Sequence, residues 1–112
     1  MKLMPKKIRN FFSKFPLGSQ RKKGKDARVV VKYFNPSGTS KWLITEGEQL
    51  KDGDWLMYGY FYIFGWDWGY VKLSELEDFI NPHGEEIERD LYIGYPTISE
   101  ALSLSSYRQR YA

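Results

Sequence analysis

The chain has 112 residues, 42% of them hydrophobic, 18% aromatic and none cysteine. That length points to a single domain, and the composition excludes a disordered chain, a disulfide framework and a thiolate metal site. The net charge of +3 conceals a division: residues 1–32 carry eleven Lys/Arg against Asp26 alone, a net of +10, whereas residues 33–112 carry six against thirteen Asp/Glu, a net of −7.

No apolar run approaches the roughly 20 residues that cross a bilayer. The opening MKLMPKKIRNFFSKF is too broken by charge to serve as a signal-peptide core. The expectation is a soluble, cytoplasmic protein without a membrane partner. Within that opening, Pro5 suits the first turn of a helix. Met4, Ile8, Phe11, Phe12 and Phe15 recur at helical spacing between lysines and arginine. A short amphipathic helix is therefore expected from Pro5 to about Lys14, covering one face of a sheet in preference to lying on a membrane. GSQRKKGKDA (Gly18 to Ala27) has no apolar anchor and reads as a mobile linker.

Strands are expected at Arg28–Phe34 and Lys41–Glu46, joined by the turn residues Asn35-Pro36-Ser37-Gly38. The polar loop GEQLKDGD follows. From Trp55 the period is two: Trp55, Met57, Gly59, Phe61 and Ile63 take one side, Leu56, Tyr58, Tyr60 and Tyr62 the other. Phe64-Gly65-Trp66-Asp67 reverses the chain, and Trp68–Leu73 returns as the partner strand. Gly59 and Gly69 are expected near each other across this hairpin, where a bulge or a large neighbouring ring needs the space.

Ser74-Glu75-Leu76-Glu77 and Thr97-Ile98-Ser99-Glu100 both match a capping box. The first opens a short helix ended by Asn81-Pro82-His83-Gly84, and the second a C-terminal helix over 97–106. Ile87–Ile93 is a short extended segment. The fold class is α+β: one domain over 1–112, with a basic helix and flexible loop at 1–27, and an antiparallel meander of about four strands at 28–93. Short helices flank it at both ends.

Three segments in this order, WLITEGE, DWGYVKLSELE and IERDLY, resemble the domain of unknown function 2958 family. The resemblance covers roughly Val29 to Tyr92 and, more loosely, the N-terminal helix; the tripartite order is what makes it specific. The lysine-rich Arg21–Lys25 loop and the run YGYFYIF are more basic and more aromatic than the family pattern. The family has no general catalytic mechanism, so no functional residues carry over. What the resemblance implies is context: small bacterial proteins, often encoded on plasmids, phages and other mobile elements, where interference with host defence is a common occupation.

The residues themselves offer little catalytic chemistry. His83, the one histidine, sits in the turn NPHG, and no serine or threonine is paired with an orienting base. Glu85, Glu86, Glu88 and Asp90 lack the spacing of a calcium loop and read as a solvated acidic edge. No phosphate-binding glycine loop is present. The expectation is a protein that is not an enzyme and needs no cofactor or metal.

Two binding surfaces remain. Tyr58, Tyr60, Tyr62, Trp66 and Trp68 are candidates for contact with a protein, since Tyr and Trp combine apolar bodies with polar handles. The alternative to that exposed surface is a face covered by the C-terminal helix, through Ile98, Ala101, Leu102 and Leu104. Arg21, Lys22, Lys23 and Lys25 are candidates for contact with nucleic acid or an acidic partner. The leading reading is a non-catalytic binding module that occupies a host protein, such as a nucleic-acid-handling defence effector, in the manner of an anti-CRISPR. The rival is a direct DNA- or RNA-binding accessory protein. Oligomeric state is not legible.

Overall fold

A computed structural model describes residues 2–103. Five antiparallel strands form one sheet: β1 (Val31–Phe34), β2 (Lys41–Gln49), β3 (Trp55–Tyr62), β4 (Trp66–Lys72) and β5 (Glu88–Arg89), in the spatial order β4-β3-β2-β1-β5. The first four make the expected meander. The fifth comes from the segment expected to be merely extended, which pairs Glu88 with Phe34 and Arg89 with Tyr33. A two-residue strand is too short to show a period in sequence, so only the fold reveals it.

The alternation in β3 is strict. Trp55, Met57, Gly59 and Phe61 are buried, while Leu56, Tyr58, Tyr60 and Tyr62 are partly exposed. Helix α1 (Lys6–Phe12) covers the buried face through Ile8 and Phe12, joined by Leu3 and Met4, so its apolar stripe docks on the sheet as its spacing predicts. Phe12 packs 5.6 Å from Trp55, and its ring lies directly over Gly47, leaving no room there for a Cβ. Ile63 departs from the expected odd-numbered core. It follows the last residue of β3 and is 42% exposed at the hairpin tip, because the pleat ends with the strand.

Strand β2 runs to Gln49, past the expected end at Glu46, and is buried on both faces from Trp42 to Gly47. The second cover is a helix at residues 98–103, whose Ile98 and Ala101 pack with Val29 and Leu43. Its start is a genuine capping box: Thr97 Oγ1 accepts the Glu100 N–H (3.2 Å) and Glu100 accepts the Thr97 N–H (3.0 Å). The remainder of the 97–106 expectation, including Leu104, lies outside the described residues.

The other expected box shifts by two residues. Helix α2 (Leu73–Glu77) takes Lys72 as its N-cap, and Glu75 accepts the Lys72 N–H at 3.0 Å. Ser74 instead gives its N–H and O–H to Asp54, a carboxylate from the β2–β3 turn, at 3.1 and 2.6 Å.

The N-terminal arm crosses the sheet at a gap. Strand β1 pairs only with residues 41–44 of β2. Beside the other half of β2, the Phe15 carbonyl accepts the Gly47 N–H (3.1 Å), and Gln20 Nε2 donates to the Thr45 carbonyl (2.7 Å). The arm thus passes from the α1 face to the tyrosine face. Residues 18–27, expected as a mobile linker, contain a 3-10 segment (Arg21–Asp26), and Gln20 is buried. Composition misled here because polar anchoring replaces the missing apolar anchor.

Gly59 lies opposite Gly69, where a Cβ would meet the Phe61 ring at an ordinary van der Waals distance of 3.6 Å, so the ring does not require the glycine. At Gly59 the constraint is backbone: a Cβ would stand 2.0 Å from the Leu43 carbonyl oxygen, next to the register shift between Ile44 and Glu46. Gly59→Ala is expected to lower stability by about 3 kcal/mol or more, since the obstructing atom cannot rotate away. Urea denaturation would measure it, and a change under 1 kcal/mol would refute the close approach.

A second expectation concerns acid. The Ser74 hydrogen bond, with help from the Trp55 and Ser74 amides and the nearby Lys72 charge, holds the Asp54 carboxyl below the ordinary aspartate value. A carboxyl depressed in the folded state contributes stability above its unfolded pKa and loses it as pH falls through the folded one. The urea midpoint should therefore fall with acidification below about pH 4, and this fall should be shallower in Asp54→Asn.

Candidate functional site

The outer face of the β3–β4 hairpin is a ladder of six rings. Register places Tyr58 opposite Tyr70, Tyr60 opposite Trp68, and Tyr62 opposite Trp66. The right-handed strand twist brings diagonal neighbours into contact as well. Tyr58 stacks on Trp68 at 5.6 Å and 10°, and Tyr60 stacks on Trp66 at 5.0 Å and 11°. Tyr60 also touches Trp68 at 4.8 Å, while Tyr58–Tyr70 and Tyr62–Trp66 meet edge to face. All five aromatics singled out in sequence come together here, and Tyr70 completes the set.

Two cations cap this ladder. The Arg21 guanidinium carbon sits 3.6 Å from the Tyr58 ring centre and the Lys25 ammonium 5.5 Å from that of Tyr60. Both contacts fall within the range of cation–π attraction. Burial pushes the Tyr58 phenol up against the lowering effect of Arg21, so it remains an O–H donor at neutral pH. Tyr58 and Tyr60 are thus each engaged by an indole and by one of the protein's own cations, whereas Tyr62 and Tyr70 meet their ring neighbours only edge to face.

The 3-10 segment is held there by a group the sequence reading passed over. Glu46 is fully buried and accepts hydrogen bonds from the Gly18 N–H, the Gln20 N–H (3.0 Å) and the Arg21 guanidinium (2.8 Å). Gln20 adds a second clasp, accepting the Arg28 N–H (2.7 Å) and donating to the Arg28 carbonyl (2.9 Å). The signal was present as a carboxylate interrupting the apolar run WLIT, in a strand buried on both sides. Arg21, expected to contact a partner, is therefore committed internally, although its side chain is still 37% exposed. Lys22, Lys23 and Lys25 are exposed and form no ion pair among the described residues.

The face is neither wholly open nor wholly covered. Leu102 and Ile93, around the 98–103 helix, belong to the same apolar cluster as Tyr60, Trp66 and Trp68, which are left half-buried. Beyond them Phe64 stands entirely in solvent, with 101% exposure, at the apex of the hairpin. A cleft of about 360 Å³ lies beside it, between Phe61, Ile63 and the Trp66–Trp68 pair.

Strand β4 is the long edge of the sheet, yet it is poorly suited to accept another strand. The Trp68 N–H is taken by the Asp67 carboxylate (2.9 Å) and the Lys72 N–H by Glu75. These amides are four residues apart, the phase at which an edge turns its amides outward.

His83 and the acidic residues fall elsewhere. His83 is an exposed turn residue whose backbone N–H binds Asn81. Glu85 accepts from Ser37 and Asn81, while Asp90 lies 3.6 Å from Lys32. Among the described residues no helix is long and apolar enough to cross a membrane.

Comparison with known proteins gives a family match to residues 3–110, with the description Protein of unknown function (DUF2958). No curated protein and no solved structure matches the chain.

Glu46→Ala strips the buried amides of Gly18 and Gln20 of their acceptor and is expected to cost about 2–4 kcal/mol. Arg21→Ala, which removes a half-exposed partner, should cost about 1 kcal/mol. Chemical denaturation of the two variants would test this ordering; equal losses would contradict the anchoring role.

Proposed function

The chain belongs to the DUF2958 family, and we propose that it acts there as a non-catalytic protein-binding module, using the outer face and tip of the β3–β4 hairpin. The observation that carries this reading is the engagement of the two central tyrosines by the protein's own indoles and cations. A single-stranded nucleic acid binds an aromatic sheet by laying bases on exposed ring faces. Here Tyr58 and Tyr60 have neighbours at Trp68 and Trp66 and a cation above each. Phenols and indoles beside an exposed Phe64 suit the mixed apolar and hydrogen-bonded contacts of a protein interface.

The finer version of this reading takes its motive from the mobile-element context that the sequence resemblance implies. It assigns the module to a host nucleic-acid-handling effector, such as a CRISPR nuclease, which it inhibits by occupancy. A direct DNA or RNA binder is the rival, resting on the three exposed lysines.

Size-exclusion co-elution with purified effector nucleases tests the finer version, and failure to bind or inhibit any of them would remove it. The coarser version predicts that Phe64→Ala weakens capture of the bound protein by at least about tenfold, as expected at an interface anchor. Being fully exposed, Phe64 can be replaced with a stability change within about 0.5 kcal/mol. Capture that survives Phe64→Ala together with Trp66→Ala would place the interface elsewhere.

A further inference from the structure

Resting on the protein-binding reading above, we infer that the tyrosine face continues past the hairpin as a track across all five strands. The track receives a polyproline-II segment of a partner protein that carries a basic residue and, three positions on, an acidic one.

Strand register draws this track. Trp66 lies opposite Tyr62, Tyr62 opposite Lys41, Lys41 opposite Phe34, and Phe34 opposite Glu88. Residues directly opposite one another project from the same face, so these side chains stand in one row on the tyrosine side. The next row inward, Trp68, Tyr60, Leu43 and Lys32, meets the 98–103 helix, where Leu43 is buried against Ile98 and Ala101. Every member of the outer row keeps part of its surface in water.

Two charges in the row have no internal counterpart. Neither Lys41 nor Glu88 forms an ion pair or a side-chain hydrogen bond among the described residues. Neighbouring charges are already committed: Lys32 lies 3.6 Å from Asp90, and Arg89, opposite Tyr33 on the other face, gives its Nε–H to the Lys2 carbonyl. Glu88 also lines an open cavity of about 500 Å³ with Phe34, Leu91 and the largely exposed Tyr92. A guanidinium seated there meets a carboxylate and two aromatic rings. Lys41, with Phe34 on one side and Tyr62 on the other, calls for the opposite charge.

Spacing selects the backbone of the occupant. Adjacent strands lie about 4.8 Å apart, so Glu88 and Lys41 are separated by about 10 Å, and Trp66 lies about 10 Å further on. A polyproline-II helix presents the same side every three residues, about 9.3 Å. The same-side repeat of a β-strand is only about 6.7 Å. The first keeps step with the row and the second does not. Proline rings also suit an aromatic-lined groove, the usual dock for this conformation. A nucleic acid would satisfy Lys41 but bring phosphates against Glu88.

Fluorescence polarisation on the full chain tests this, with labelled Pro-Arg-Pro-Pro-Asp-Pro-Pro-Pro as the probe. Binding is expected, and it should weaken as salt rises from about 50 to about 200 mM. Lys41→Glu and Glu88→Lys should each weaken it about tenfold, with circular dichroism and the urea midpoint near wild type. Exchanging charge on both sides should restore it: a probe with Arg in place of its Asp for Lys41→Glu, and one with Asp in place of its Arg for Glu88→Lys.

No binding of the probe, variants that bind it as well as wild type does, or losses that the exchanged probes fail to restore would each overturn the inference. So would tighter binding of an oligothymidylate of matched length. A protein captured through Phe64 but indifferent to Lys41→Glu and Glu88→Lys would overturn the track while leaving the hairpin reading in place. Charge-exchangeable probe binding without any Phe64-dependent capture would do the reverse.

Discussion

One buried carboxylate organises much of this molecule. Glu46 sits at the register shift of the central strand, fully removed from solvent, and gathers two backbone amides and a guanidinium from the N-terminal arm. A charge in such a place is unfavourable unless every lone pair finds a donor. The three donors it finds come from residues 18–21, so its desolvation is offset only when the arm is seated. Seating the arm is also what lays Arg21 across Tyr58 and Lys25 above Tyr60. The electrostatics of the core and the composition of the outer surface are in this way the same problem.

Period-two patterning made the hairpin legible from residues alone. Trp55, Met57 and Phe61 alternate with tyrosines, and no other regular structure separates them so cleanly into two sets. The helical spacing of Ile8 and Phe12 likewise specified both the element and the face it covers. What escaped reading was structure held by polar contacts between distant segments. The Gln20 contacts with Thr45 and Glu46 bridge 25 or more residues, and neither partner has a local pattern that announces the other. The same holds for Ser74, whose place in a box-like sequence concealed that Asp54, twenty residues earlier, takes its donors. Strand β5 failed for a different reason, being defined by its neighbour and not by its own two residues.

The candidate surface shows the same split. Its aromatic members were visible as a list, but their significance depends on orientation, which composition does not encode. Two central tyrosines are each engaged by an indole and a cation, while Tyr62 and Tyr70 meet their neighbours only edge to face. The cleft at the tip depends on Ile63 lying just past the end of β3, where the alternation stops.

The crossing of the N-terminal arm leaves its own imprint on the sheet. Glu46 and Gly47 are consecutive, yet one grips the arm on the tyrosine side and the other lies beneath Phe12 on the helix side. The arm therefore works as a bolt through the place where β1 stops short. Beneath it the far half of β2 is a latent edge, sheltered by a segment whose own attachment is polar rather than greasy. Withdrawing the bolt would unveil a row of unpaired backbone next to a stranded charge, which makes the basic arm a custodian of the sheet as well as part of its exterior.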